Sequence, residues 1–192
     1  MLNNHIAIFG GSFDPPHCGH QYVCHWLKYS LNIQEVIVAP VYQHTFGKIL
    51  APFENRFEMC DLMCKGNSYS FASRAEQGRP IPNTSYNLLK HFKDTYCNSA
   101  PMVLVIGADC LKDITSWDRW QELPSLAKIL VIDRFGCENV DAPLDVLRYP
   151  LSVSCASSSL VRDKLAKGES VEGLVSYKIG KYIYKNKLYG VK

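Results

Sequence analysis

Apolar residues along the chain fall into short unbroken runs, separated by longer stretches in which they recur every three or four positions. Residues 5–9, 35–39, 102–106 and 128–132 are rich in Val and Ile, and Gly, Pro or polar positions bound them. Runs that do not alternate with polar residues fit strands buried on both faces, as in a parallel sheet. Residues 69–73 predict a further strand and residues 151–154 a short one. Helical spacing covers residues 19–30, 54–65, 85–96, 117–123, 158–167 and 176–186. Strand and helix therefore alternate, which predicts an α/β fold built on a doubly wound parallel sheet. Such sheets take ligands beyond the carboxyl ends of their strands, at a switch in strand order, so motifs at strand ends gain weight. No repeat, low-complexity segment or linker divides the chain, and one domain over residues 1–192 is expected.

Composition narrows the classes of function only slightly. Hydrophobic residues make up 47% and charged residues 20%, ordinary for a soluble globular protein and too apolar for disorder. A net charge of +3 suits an anionic ligand but lacks the dense basic stripe of nucleic-acid binding, so no nucleic-acid partner is expected. No apolar run approaches the ~20 residues of a membrane span, so no membrane partner is expected either. The eight cysteines form no CxxC pair, which argues against a zinc ribbon or a thioredoxin-type site. Residues 1–5 lead directly into a strand-like run, and with no signal peptide expected the protein reads as cytoplasmic with reduced thiols. Cys60 and Cys64, four residues apart, share a helix face and read as small buried thiols.

The most informative stretch follows the first strand: Gly10-Gly11-Ser12-Phe13-Asp14-Pro15-Pro16-His17-Cys18-Gly19-His20. Gly10 and Gly11 let the backbone turn tightly and approach a ligand closely. They match neither the GxGxxG fingerprint nor the GxxxxGK[ST] loop. Asp14-Pro15-Pro16 then delays the helix. His17 and His20, three residues apart at the helix start, project to one side. Two imidazoles above exposed backbone N–H groups form a site for a polyanion. Alternatives for these residues are helix capping, core packing, or metal ligation by His17, Cys18 and His20, though adjacent Cys and His side chains diverge and no further ligands cluster nearby. A second anion cradle lies at Ser157-Ser158-Ser159-Leu160-Val161-Arg162, where a serine run opens a helix and an arginine follows one turn later.

These two segments resemble the paired signatures of the nucleotidyltransferase superfamily that carries a (His/Thr)-x-Gly-His motif. The form GGSFDPxHxGH is most similar to that of nicotinate-nucleotide adenylyltransferases, and the resemblance covers nearly the whole chain. It departs from the family at Ser159, where Thr is usual, and at Ala156, where Ile is usual. The resemblance implies a Rossmann-like nucleotidyltransferase fold, with the second phosphate motif in a C-terminal helical part at about residues 157–192. ATP is then expected on Gly10, Gly11, Ser12, Phe13, His17, His20, Gly107, Asp109, Ser157, Ser158, Ser159 and Arg162. Lys48, Thr84, Ser85, Tyr86, Trp117 and Arg134 are expected to hold a pyridine mononucleotide, with Trp117 stacked on its ring. Arg56 also corresponds to a family arginine. The segment 42–48 is about a residue longer than the usual proline-rich loop, with His44, Tyr42, Phe46 and Gly47 available to reshape the second pocket.

Each substrate-side position also has a simpler reading. Trp117 or Trp120 would pack, Asp109 would cap a helix, Tyr86 would join the core, and Lys48 and Arg56 would be solvated surface charges. The reaction the resemblance implies is transfer of AMP from ATP to the 5′-phosphate of nicotinate mononucleotide, with His17, His20, Lys48 and Arg162 as the catalytic set. Mg²⁺ is expected on the ATP phosphates, with no metal held by side chains. Alternatives are nicotinamide mononucleotide, phosphopantetheine, or a sugar or polyol phosphate as acceptor, or a nucleotide sensor without turnover. Phosphopantetheine enzymes usually carry Thr at the place of His17. A homo-oligomer is left open.

Overall fold

The computed structural model describes residues 2–43, 47–78, 82–97, 99–133, 140–151 and 156–191. Among these residues six strands form one all-parallel sheet: β1 (Ile6–Gly11), β2 (Glu35–Pro40), β3 (Ser70–Ala72), β4 (Met102–Gly107), β5 (Lys128–Ile132) and β6 (Val146–Tyr149). Their order across the sheet is β3-β2-β1-β4-β5-β6. The order reverses between β1 and β4, so the crevice beyond Gly11 and Gly107 lies at the switch point.

Every second residue of a strand faces one side of the sheet, and the core divides accordingly. Ala7, Phe9, Val36, Val38, Val103, Val105, Leu130 and Ile132 face one helical layer. It contains α1 (Cys18–Leu31), α2 (Phe53–Cys64), α5 (Ser158–Ala166) and α6 (Tyr177–Lys185). Ile6, Ile8, Ile37, Ala39, Leu104, Ile106, Ile129 and Val131 face the other layer. That layer holds α3 (Ser85–Thr95), a run of 3₁₀ turns (Ala108–Lys112, Ile114–Ser116, Trp120–Glu122) and the short α4 (Leu123–Leu126). Strands covered on both faces explain why their sequences read as continuous apolar runs.

Two elements differ from the sequence expectation. A helix over residues 117–123 is replaced by a 3₁₀ turn at Trp120–Glu122 that leads into α4. Trp117, Trp120 and Leu123 are spaced by three, the period of a 3₁₀ helix. Arg119, at φ 50°, breaks any continuous helix there, and Pro124 opens α4 in its first turn. Of the strand expected over residues 151–154, residues 152–154 lie outside the described residues, and a sixth strand that the sequence reading does not predict stands at Val146–Tyr149. As an edge strand it is only half-buried. Its Arg148 donates from Nε to Asp133 Oδ1 at 2.7 Å, so it carries no apolar run to read.

Among the described residues no helix is long and apolar enough to cross a membrane. Cys24, Cys60, Cys64 and Cys97 are buried free thiols. Burial pushes the Cys64 thiol up to about 11, so it is an inert core residue.

Candidate active site

A cavity of about 350 Å³ opens at the switch point. Of the expected site residues it gathers Gly10, Gly11, Ser12, Phe13, His20, Lys48, Ser85, Gly107, Asp109 and Trp117 on its walls. The ends of β1 and β4, the N-terminus of α3 and the first 3₁₀ turns thus supply one continuous lining.

At the β1 end, the two glycines have different duties. A Cβ built on Gly10 would meet no protein atom within 4 Å, so a side chain there would enter the cavity. A Cβ on Gly11 would lie 3.2 Å from the Phe13 ring. Phe13 is 1% exposed and sits at φ 47°, a region few side chains adopt, so its packing must hold that conformation. Its ring packs edge-on to Phe9 at 5.4 Å between centroids and lies 4.8 Å from the His20 ring.

The histidine pair caps α1 reciprocally. His17 is the N-cap, and its Nδ1 accepts from the Gly19 backbone N–H at 3.2 Å. The backbone N–H of His17 in turn donates to His20 Nδ1 at 3.2 Å. This is a capping box with imidazoles in place of the usual hydroxyl and carboxylate. An imidazole that accepts at Nδ1 carries its proton on Nε2. Both rings are therefore fixed as distal N–H donors, 3.8 Å apart between centroids. The capping reading of this pair holds, and it uses the geometry that the ligand-binding reading needs.

The second cradle docks onto the same loop. Ser157 caps α5 by accepting from the Leu160 N–H at 3.1 Å. Ser158 Oγ donates to the Pro15 carbonyl at 2.9 Å. Arg162 donates to the Asp14 carbonyl at 2.7 Å and lies 3.9 Å from the Asp14 carboxylate. Ser159 is exposed, its hydroxyl 3.2 Å from that of Ser157. Ser157, Ser158, Ser159 and Arg162 do not line the cavity itself. His17 does not line it either, and Ser158 and Arg162 bond to Pro15 and Asp14, in the loop that leads from the lining residue Phe13 to His17.

Beneath this junction lies a buried polar knot. Asp14, 3% exposed, accepts at Oδ1 from the Ala51 N–H and from the Tyr189 hydroxyl at 2.8 Å. Arg56, 1% exposed, donates to three backbone carbonyls: Ala51 at 2.8 Å, Ser12 at 2.9 Å and Tyr42 at 3.3 Å. Burial lowers the Arg56 pKa while the Asp14 charge opposes that shift. Arg56 is thus not the solvated surface charge that its sequence context allows. It fastens the glycine loop to the segment after β2, and nothing in the sequence marks the distant carbonyls of Ser12 and Tyr42 as its partners. For Tyr189, burial first and the Asp14 charge second push the hydroxyl well above its usual range, so it stays a donor.

At the α3 end, Thr84 and Tyr86 do not line the cavity, although Ser85 between them does. Thr84 caps α3 by accepting from the Asn87 N–H, and its hydroxyl donates to Asp118 Oδ2 at 3.1 Å. Tyr86 is buried, with the Arg119 guanidinium 3.8 Å from its ring centroid. Trp117 is half-buried, against the core on one side and the cavity on the other. Lys48 reaches the cavity from an exposed segment, while His44 and Phe46 lie outside the described residues. Arg134 lies outside them as well.

The sequence reading missed several walls of the cavity, among them Glu76 and Asn83. Glu76 is buried and accepts from the Tyr42 N–H at 2.9 Å. Neither stands in a recognisable motif, and only the fold brings them here. Among the described residues, no group of three or more His, Cys, Asp or Glu comes together as a metal site.

The Cytidylyltransferase-like family matches residues 8–164, which include the glycine loop, the histidine pair and most of α5. The chain is 35% identical to the "Probable nicotinate-nucleotide adenylyltransferase" of Anaeromyxobacter dehalogenans (strain 2CP-C), over 96% of each chain. It is 34% identical to the protein of that name from Myxococcus xanthus (strain DK1622), over 97% of this chain and 95% of that one. Among solved structures it is similar to Plasmodium falciparum nicotinic acid mononucleotide adenylyltransferase complexed with NaAD. That match has a TM-score of 0.82 and 25% identity, and covers 99% of both chains. The same Plasmodium enzyme complexed with APC matches with a TM-score of 0.80.

Proposed function

The chain belongs to the Cytidylyltransferase-like family, among relatives named as nicotinate-nucleotide adenylyltransferases, and from that premise we propose that it joins nicotinate mononucleotide to the AMP part of ATP. The products are deamido-NAD and pyrophosphate, a step of NAD biosynthesis in the cytoplasm. The observation that carries this reading is the reciprocal cap of His17 and His20, which presents two oriented N–H donors beside a glycine-walled cavity.

ATP lies across Gly10, Gly11 and Ser12, with its adenosine toward Gly107 and Asp109. The backbone of Gly10 lets the nucleotide approach closely, because no Cβ stands in the way. His17 and His20 donate from Nε2 to the phosphates, Lys48 and Arg162 neutralise the outer ones, and the serines at the start of α5 add hydrogen-bond donors. A 5′-phosphate is already ionised near neutral pH, so no side chain need remove a proton from it. One of its oxygens attacks the α-phosphorus of ATP in line. A new P–O bond forms as the bond from the α-phosphorus to the bridging oxygen breaks, and pyrophosphate leaves with that electron pair. Catalysis is then positioning and charge stabilisation. Mg²⁺ carried by ATP would supply further charge neutralisation, and it would need no side-chain ligand from this chain. The acceptor's ring stacks on Trp117 beside Ser85.

The test is pyrophosphate release when ATP–Mg²⁺ is mixed with each candidate mononucleotide in turn. Release with nicotinate mononucleotide is expected. Release only with nicotinamide mononucleotide would reassign the acceptor, and none with any phosphorylated acceptor would contradict the proposal.

A further inference from the structure

Ser85 and Trp117 stand on the same cavity, yet they belong to segments separated by β4 and two 3₁₀ turns. What joins those segments is a pair of contacts made by the residues flanking them. Thr84, just before Ser85, donates its hydroxyl to Asp118, just after Trp117. Tyr86, just after Ser85, carries on its ring face the guanidinium of Arg119, two residues after Trp117. Arg119 is itself held by Glu122, donating from Nε and Nη2 to its two carboxylate oxygens at 2.7 and 2.5 Å. A guanidinium pinned by two parallel bonds has little freedom left, so its stack on Tyr86 fixes a direction as well as a distance. Arg119 adopts φ 50°, outside the conformations side chains favour, so local backbone preference does not place it there.

We propose that Thr84–Asp118 and Tyr86–Arg119 form a double staple that sets the spacing between Ser85 and Trp117, and so the width of the acceptor subsite. Asp118 and Arg119 are positioning residues: they act through Trp117 and Ser85 without touching substrate. Thr84 and Tyr86 have the same role, which accounts for their absence from the cavity wall. The inference rests on the reading above that the acceptor's ring stacks on Trp117.

Asp118 and Arg119 are exposed, so both can be changed without opening the core. Asp118→Ala and Arg119→Ala should each raise the KM for nicotinate mononucleotide by about three- to tenfold, the range of one hydrogen bond or one cation–π contact. The KM for ATP should stay at the wild-type value. Asp118→Asn should restore the acceptor KM, because an amide oxygen still accepts from the Thr84 hydroxyl. The yardstick is Trp117→Ala, measured in the same assay. A raised acceptor KM for Trp117→Ala with wild-type values for both staple variants would overturn the staple and leave the acceptor site intact. Wild-type values for Trp117→Ala as well would overturn the placement of the acceptor on Trp117, and the staple's role with it. An equal rise in both substrates' KM values would mark general loosening and also contradict the proposal.

Discussion

At the β1–α1 end of the cavity, side chains bond to backbone only two or three residues away, as His17 does to Gly19 and His20 to His17. At the α3 end, side chains bond to side chains more than thirty positions distant, as Thr84 does to Asp118. The first arrangement is written into one helix turn and is fixed once α1 forms. The second exists only when the sheet has brought α3 and the 3₁₀ run together. Both ends line one cavity, one of its walls built locally and the other assembled by the fold. The β1–α1 end also carries the deeper support, since Asp14 and Arg56 are buried beneath it while Asp118 and Arg119 are exposed.

The largest expected effect comes from removing that deeper support. Arg56→Met keeps an unbranched apolar stem but leaves three backbone carbonyls without their buried donor and Asp14 without its neighbouring charge. It should cost about 3–5 kcal/mol of stability, measured by denaturant unfolding. A loss below about 1 kcal/mol would mean that the knot is not what holds the glycine loop, since surface changes commonly stay within that range.

A smaller effect, confined to turnover, is expected at the donor pair. In His20→Asn the side-chain amide oxygen can replace Nδ1 as the acceptor of the His17 N–H, so the cap of α1 is kept. The distal N–H toward phosphate is lost. Turnover at saturating substrates should fall by on the order of 10²–10³, as for a lost transition-state donor, with the melting temperature little changed. Wild-type turnover in a folded His20→Asn protein would remove His20 from the chemistry.

The same contrast governs how much could be read from the sequence. Four strands buried on both faces announce themselves as continuous Val and Ile runs, and the order of motifs places Gly10 and Gly107 at strand ends. The capping histidines are legible because their spacing is the geometry. The 3₁₀ run is not, because Trp117, Trp120 and Leu123 satisfy a loose helical pattern as well as a three-residue period. The edge strand at Val146–Tyr149 is hidden by its half-burial and by Arg148. Arg56 and Asp118 are hidden for a shared reason. A charged side chain in a sequence carries no sign of whether remote groups will meet it, and here the partners lie on other segments. The resemblance to a family supplied the acceptor end, including Thr84 and Tyr86, whose contacts the structure turns away from the cavity.

The most direct test of this two-ended account is a crossed pair of KM measurements on Gly10→Val and Trp117→Ala. Gly10→Val puts a side chain into space that no protein atom fills, on the wall assigned to ATP. Trp117→Ala removes the platform assigned to the acceptor's ring, where stacking contributes about 1–3 kcal/mol. The account predicts that Gly10→Val raises the KM for ATP, and Trp117→Ala that for nicotinate mononucleotide, each by about tenfold. In each variant the other KM should stay near wild type. Equal rises for both substrates in both variants would contradict it.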